Sequence, residues 1–190
     1  MDLDKTETNL ETVLFDKEGF KFSRIKKNHY NLIFTMENNN INLPKIVDFS
    51  LIKLIYDLNS DVYEKVNIEK LNDNEIILTL LMKHFFEDLG LPQRFSFIHM
   101  KKTVEEGRVI FNSQSIKSHR PPNMPADSQL MALKDMTSVC EFISPHKVNF
   151  SFNEIFDDEM NVPPFAEKMV GIISHKIFKR VKQFIENVRI

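Results

Sequence analysis

Residues that commonly perform catalysis occur in this sequence, but their spacing matches no familiar catalytic arrangement. Cys140 is the single cysteine, and no histidine is adjacent to it along the chain. The six histidines are scattered, without the H-x-x-x-H or C-x-x-C spacing that places two ligands on one metal ion. With four glycines, the chain has no G-x-x-x-x-G-K or G-x-G-x-x-G phosphate loop. We therefore expect no enzyme, metal site or cofactor, and Cys140 is expected to be a small buried apolar residue.

The longest regular pattern that could position functional side chains predicts a helix from Pro163 to Ile190. Proline is common in the first turn of a helix, which fits Pro163-Pro164. Apolar residues recur at the spacing of a helix with one buried face. They are Phe165, Met169, Ile172, Ile173, Ile177, Val181, Phe184, Ile185 and Val188. The other face carries Lys168, Lys176, Lys179, Arg180, Lys182 and Arg189. At about 1.5 Å per residue the helix would be roughly 35 to 40 Å long, so it needs a broad apolar surface beneath it.

The rest of the chain predicts that surface as a series of antiparallel strands. Period-two patterns and turn residues indicate strands at 20–26, 29–36, 66–71, 75–86, 94–103, 108–118, 130–143 and 147–156. A helical stretch is predicted for residues 45–58. Residues 1–18 are expected to be flexible or weakly helical, ahead of a single domain at 19–190. A curved antiparallel sheet that wraps around a long terminal helix is an α+β architecture.

Composition narrows the function further. A chain of 190 residues suits one domain. Its 17 phenylalanines and absence of tryptophan suit a wide apolar interior. The net charge of −2 argues against a nucleic-acid partner, which normally requires a basic surface. The polar, acidic N-terminus does not have the apolar core of a secretory signal, and the single cysteine suits a reducing compartment. We expect a cytoplasmic protein.

Three stretches resemble the START domain, the lipid-transfer domain related to the steroidogenic acute regulatory protein. The stretch at 91–95, Leu-Pro-Gln-Arg-Phe, is similar to the family's entry into a central strand. The stretch at 107–122 resembles the family's strand of alternating small and apolar residues that ends in a histidine and prolines. The stretch at 148–152 with Val-Pro-Pro at 162–164 is similar to the last strand and the proline-opened lid helix. The set spans roughly residues 19–187, nearly the whole chain.

The resemblance implies a helix-grip fold whose sheet and C-terminal helix enclose an apolar cavity for one lipid. The ligand would be a sterol, a phospholipid or a sphingolipid. Burial would drive binding, at about 0.8 kcal/mol for each CH₂ group removed from water. The protein would carry lipid as a soluble protein that contacts membranes transiently.

The resemblance and the strand assignments also suggest which residues contact the lipid. The expected contacts are His84, Phe86, Arg94, Phe97, His99, Phe111, Ser113, Phe150, Phe152, Met169, Ile173 and Ile177. A buried arginine or histidine needs a partner, so the polar members, with Gln114 and Ser115, could hold a lipid hydroxyl or phosphate. The alternative is that they lie on the wet outer face, because a one-residue shift in strand parity exchanges the two faces.

The lid is expected to consist of the C-terminal helix and the loop at 87–92. Leu89 and Leu91 would enter the acyl boundary of a membrane. Lys176, Lys179 and Arg180 would meet anionic headgroups, at about 1 kcal/mol for each cation near the surface. The alternative is a solvated helix face whose lysines offset the helix dipole.

Two other functions remain open from the sequence. A structural or interaction protein could keep this fold with a filled cavity, as a subunit of a larger assembly. An enzyme of the wider superfamily would need an acid–base pair, and none is identifiable. A continuous pocket of several hundred Å³ would favour ligand binding over the filled alternative, since ligand pockets have roughly that volume.

Overall fold

The computed structural model describes residues 11–85, 87–160 and 163–189. Within them, ten strands form one sheet. The strands are β1 (Thr12–Lys17), β2 (Phe20–Lys26), β3 (His29–Glu37), β4 (Tyr63–Asn72), β5 (Glu75–Met82), β6 (Arg94–Glu105), β7 (Arg108–Ser115), β8 (Gln129–Leu130), β9 (Leu133–Ser144) and β10 (Lys147–Phe156). The α-helices are α1 (Phe49–Asp57) and α2 (Pro164–Asn187). The predicted α+β architecture is confirmed.

The sheet is open, with β1 and β4 at its edges. Its order is β1-β2-β3-β10-β9-β7-β6-β5-β4, and all neighbours in that order are antiparallel. The two-residue strand β8 pairs with β6 in parallel, outside this path. Because β10 pairs with β3, the last strand lies in the middle of the sheet beside the first three strands, and α2 is the next element along the chain.

The first strand corrects the prediction for the N-terminal segment. Residues 12–17 form β1, where the sequence predicts a flexible or weakly helical segment, while residues 1–10 lie outside the described part. The turn after β1 has positive φ at both central residues, +56° at Glu18 and +78° at Gly19, which suits the twist of a two-residue hairpin. Phe15 also contacts His175 of α2, with ring centroids 4.4 Å apart. A local turn and a distant contact together hold this strand.

The short helix α1 begins later than the sequence predicts. Asp48 caps it by accepting a hydrogen bond from the backbone N–H of Ser50 at 2.7 Å, which satisfies one of the free donors at the helix start. Leu43–Lys45 forms a separate 3₁₀ turn before the cap. The helix buries Leu51, Ile52 and Ile55 against the sheet side of the molecule.

The long helix α2 lies close to the sheet at both of its ends. Near its start, Gly171 allows a close approach to β2, since a Cβ there would meet Phe22 at 3.1 Å. At its end, the Asn38 side chain donates to the carbonyls of Ile185 at 2.6 Å and Val188 at 2.9 Å, satisfying acceptors that a helix end leaves open. Neither described helix has an apolar stretch long enough to cross a membrane.

Phenylalanine rings fill the space beneath the second half of α2, residues 178–187. Phe34 stacks on Phe150 with centroids 5.0 Å apart, and Phe152 contacts Phe178 of the helix at 4.7 Å. A void of only about 20 Å³ remains between these rings and their neighbours. Offset and tilted aromatic pairs of this kind add to the energy of burial. We call this region the phenylalanine core.

Candidate functional site

A cavity of about 220 Å³ lies between the sheet and the first half of α2, residues 164–177, extending to Phe178. From α2 it is lined by Val170, Ile173, Ser174, Ile177 and Phe178. From α1 it is lined by Ile52, Ile55 and Tyr56. The opposite wall is formed by β5 and β6, through Leu78, Leu80, Met82, Ser96, Ile98 and Met100. The first half of α2 therefore covers a hollow, whereas the second half covers packed rings.

Methionine and isoleucine are the commonest residue types in the cavity wall, with five residues each. The five methionines that line it are Met82, Met100, Met131, Met136 and Met160, from nine in the whole chain. Methionine is unbranched and polarizable, so a wall of this type re-packs easily around different shapes. The volume of about 220 Å³ is below the roughly 300–1,000 Å³ of typical ligand pockets. Movement of these side chains is the simplest way for the cavity to accept a larger guest.

Glu154 is the one acidic or basic side chain that lines the cavity within the described residues. It lies in β10 and pairs across the sheet with Tyr30 of β3 and Met136 of β9. Its carboxyl group makes no hydrogen bond or ion pair in the described part of the chain. Burial disfavours the charged form and raises the pKa of Glu154 to about 7. Both protonation states are therefore populated near neutral pH.

Two tyrosine hydroxyls share the cavity with this carboxyl group. The rings of Tyr56 and Tyr63 meet edge to face, with centroids 4.9 Å apart. Burial is the main cause that raises the pKa of both hydroxyls above the usual value, and the nearby Glu154 adds to the shift. Both hydroxyls are therefore protonated at neutral pH and can donate hydrogen bonds.

A third tyrosine lines the cavity but directs its hydroxyl to the helix above. Tyr30 donates to Oε1 of Glu167 at 2.7 Å, and Arg24 donates to Oε2 of the same carboxylate at 2.8 Å. Burial, and then the hydrogen bond to Glu167, raise the pKa of Tyr30. These contacts hold the first half of α2 against β2 and β3.

Only some of the residues predicted to contact a ligand meet at the cavity. Phe152, Ile173 and Ile177 line it. Phe111 and Phe150 line instead the small void of the phenylalanine core. Cys140 lines the same void, and burial raises the pKa of its thiol to about 12, which agrees with the expected buried apolar role.

The inward placement predicted for Phe97 and His99 is wrong. Alternate residues of β6, namely Ser96, Ile98 and Met100, face the cavity. Phe97 belongs to a separate cluster with Leu81 and Phe95 on the opposite face of the sheet. His99 lies on that face too, where its Nε2 is 3.2 Å from a carboxylate oxygen of Glu75. The parity of β6 is therefore opposite to the predicted one.

The other polar candidates do not line the cavity either. Nε2 of His84 is 2.6 Å from the carbonyl oxygen of Leu91, and Arg94 donates to Oε1 of Gln129 at 3.1 Å. Ser113 is buried, and its hydroxyl has no hydrogen-bond partner in the described part of the chain.

Three further residues are predicted from the sequence to face the ligand: Gln114, Ser115 and Phe86. Gln114 is exposed. The hydroxyl of Ser115 accepts a hydrogen bond from the backbone N–H of Leu133 at 2.8 Å. Phe86 lies outside the described residues. Gln114 pairs across the sheet with His99 and faces outward with it, so its inward placement is wrong. Ser115 pairs with Ile98, and Arg94 has the strand parity of Ser96, so both are on the inner side of the sheet without lining the cavity.

The expected lid residues are on the surface, and their cations have partners within the chain. Leu89 is 62% exposed and Leu91 is half-buried. Met169, which the sequence predicts to contact the ligand, lies on the exposed face of α2 and not in the cavity wall, so that prediction is wrong. Lys176 and Arg180 both form ion pairs with Asp61, and these pairs lower the pKa of that carboxyl group. Lys179 forms an ion pair with Glu18 at 2.6 Å. Membrane contact by these residues stays a prediction.

The fold matches solved START-domain structures along nearly the whole chain. The human StarD13 (DLC2) lipid transfer and protein localization domain has a TM-score of 0.67 at 10% identity, covering 95% of this chain and 91% of that one. Human STARD10 has a TM-score of 0.66 at 11% identity, covering 95% and 74%. Human StAR-related lipid transfer protein 5 has a TM-score of 0.64 at 12% identity, covering 95% and 88%. The chain has the predicted START-like helix-grip fold.

The similarity to these proteins is one of structure and not of amino-acid sequence. No protein-family profile matches the sequence, and no curated protein sequence is similar to it. The TM-scores of 0.64–0.67 establish the fold, whereas identities of 10–12% do not identify a ligand. The side chains of this cavity determine what it can bind.

Sequence reasoning missed Glu154, the most unusual residue of the site. The signal was present, because Glu154 continues the period-two row Val148, Phe150, Phe152, which faces inward. An acidic residue in such an inward-facing row is predicted to lie in the interior of the protein. The methionines carried a weaker signal, since flexible apolar residues serve cores and binding walls equally well.

Proposed function

We propose that this protein is a non-enzymatic lipid carrier of the cytoplasm, which encloses one lipid between its sheet and the first half of α2. The observation that supports it is the apolar cavity of about 220 Å³ beneath a helix that can act as a lid. The START-like fold adds to this argument, since several solved structures with the same fold carry lipid transfer in their names. The cavity is open space, which disfavours the alternative of a filled interior.

Burial of the lipid chain supplies the affinity in this proposal. Each CH₂ group removed from water contributes about 0.8 kcal/mol, and the methionine wall adapts its shape to the guest. The protein needs no reaction chemistry for this role. It needs a dry interior, a polar group for the lipid's polar end, and a lid that opens.

The contacts of α2 support an opening of its first half. The second half is held by the phenylalanine core and by Asn38. The first half is held by Glu167, by the approach at Gly171, and by contacts of His175 and Lys176 near its end, and it covers a hollow. Its outer face carries an apolar stripe, with Phe165 48%, Met169 39% and Ile172 46% exposed. We propose that this stripe and Leu89 contact the membrane when the lid opens.

Native mass spectrometry after incubation with a total lipid extract tests the binding proposal. The wild-type chain should retain one lipid. Ser174→Phe, which places a ring in the cavity, should abolish the complex. Gln183→Phe is the matched control, because it adds the same ring at an exposed position of the same helix outside the proposed membrane stripe, and it should bind as wild type does. Absence of any bound lipid on the wild-type chain, or equal binding by Ser174→Phe, would refute the proposal.

Vesicle-to-vesicle transfer tests the membrane step. Leu89→Asp should slow lipid transfer several-fold while leaving the melting temperature nearly unchanged, since Leu89 is 62% exposed and contributes little to folding. Val104→Asp is the control, because Val104 is 67% exposed in the hairpin between β6 and β7. If the two variants transfer lipid at the same rate, the loop does not contact the membrane.

A further inference from the structure

Glu154 is partly buried, and its carboxyl group borders the cavity without a side-chain partner among the described residues. Its neighbours along β10 and across the sheet are apolar or aromatic, and no side chain of the described residues pairs with its carboxyl group. A carboxyl group that leaves bulk water is disfavoured unless a hydrogen bond replaces its hydration, and more strongly when it is charged. A leucine at this position would fill the cavity wall without that cost.

The hydroxyls of Tyr56 and Tyr63 are in the same situation. Both residues line the cavity, both interact electrostatically with Glu154, and neither makes a side-chain hydrogen bond within the described chain. Tyr30, the third tyrosine here, is already committed to Glu167. One carboxyl group and two tyrosine hydroxyls therefore belong to the wall of the same cavity without hydrogen-bonding to one another, and within the described residues the other hydroxyls of the wall are those of Tyr30 and three serines.

We propose that Glu154, Tyr56 and Tyr63 form a recognition site for the hydroxyl group of an uncharged lipid alcohol, and that this site rejects anionic lipids. This inference rests on the proposed function and assigns the ligand class. A hydroxyl group has one donor and two acceptor positions. Its O–H donates to the carboxyl group of Glu154, and its oxygen accepts from the two tyrosine hydroxyls, which satisfies all three side chains.

Other head groups fit this trio less well. A carboxylate or phosphate would place a second negative charge beside Glu154 in an interior with little water to screen it. An ammonium group would pair with the carboxylate but offers no acceptor to the tyrosine hydroxyls. The remaining lining hydroxyls, Ser96, Ser138 and Ser174, carry no charge.

The pH dependence separates these ligand classes. Glu154 lines the cavity together with Tyr56, Tyr63 and its cross-strand neighbour Tyr30, and no other carboxylate or cation lines it within the described residues. Since both protonation states of Glu154 accept a hydrogen bond, affinity for an alcohol should change little between pH 6 and pH 8. Affinity for an amine should rise with pH over that range, and affinity for a fatty acid should fall.

Calorimetric titration of the full chain with four ten-carbon probes tests the inference: decanol, decanoic acid, decylamine and decane. At pH 8 the wild-type chain should bind decanol about tenfold more tightly than decanoic acid, the size of one hydrogen bond to a charged group. Glu154→Gln should weaken decanol binding and remove the discrimination against decanoic acid. Tyr56→Phe and Tyr63→Phe should each weaken decanol several-fold and leave decane unchanged.

Each failure has a distinct meaning. If decanoic acid binds equally to the wild type and to Glu154→Gln, the recognition site is wrong while the cavity still binds lipid. A preference for decylamine that grows with pH would assign a cationic ligand and overturn the alcohol class. If none of the four probes binds the wild-type chain, the proposed function itself fails. Glu154→Leu serves as a second variant, and the melting temperature of each variant confirms that it folds.

Discussion

The two halves of α2 cover regions that are built differently. Beneath the second half, Phe34, Phe150 and Phe178 stack and tilt against one another, and a void of about 20 Å³ remains. Beneath the first half, methionines, tyrosines and Glu154 surround about 220 Å³ of open space. Rigid aromatic rings fill the space beneath the helix and hold it in place, whereas flexible methionine side chains can change rotamer and so change the shape of the cavity. The division leaves one half of the helix on packed rings and the other half over a hollow, as the proposed opening of the first half requires.

The largest expected effect tests the difference in packing. Phe34→Ala should lower the free energy of unfolding by about 3–5 kcal/mol, because it removes a fully packed ring. Met136→Ala should cost less, about 2 kcal/mol at the lower end of the range for methionine, since a side chain that faces open space has fewer atoms in contact. Chemical denaturation of both variants measures the two costs. Equal losses would mean that the cavity wall is packed as tightly as the phenylalanine core.

A smaller effect tests the buried acid. The pKa of Glu154 rises from 4.5 to about 7 on folding, so between those values the folded chain holds a proton that the unfolded chain has released. The free energy of unfolding should therefore fall as pH rises through this window, by roughly 3 kcal/mol at about 1.4 kcal/mol per unit.

Glu154→Gln isolates this contribution from those of other titrating groups. The variant should match the wild type near pH 4.5, and it should be the more stable of the two at pH 8. Denaturation at both pH values gives the difference between variant and wild type. A difference that does not change with pH would mean that water reaches the carboxyl group freely.

The sequence predicts the order and type of the elements well because both depend on local patterns. β10 begins and ends where its alternation does, at Lys147 and Phe156. The parity of β6 fails because both of its faces are covered. The segment after β7 packs over the outer face, where His119 contacts Phe97 at 5.2 Å and Arg120 lies over Phe95 at 4.8 Å. When a strand is buried on both faces, its sequence does not alternate between polar and apolar residues, so the inward face cannot be recognised from the pattern.

The site is harder to predict than the fold because its partners are distant in sequence. Asp61 neutralises cations more than 100 residues further along, so the predicted cationic face of α2 is occupied. Glu154, by contrast, could be placed inside from β10 alone. Its two tyrosine neighbours could not, since α1 and β4 bring them there.

Hydrogen–deuterium exchange of the full chain, before and after loading from a total lipid extract, tests most directly whether the hollow under α2 is the binding site. Loading should slow exchange at residues 164–177 and in β6, and leave residues 178–187 unchanged. Exchange that is the same with and without lipid, or that slows only beneath the phenylalanine core, would contradict the account.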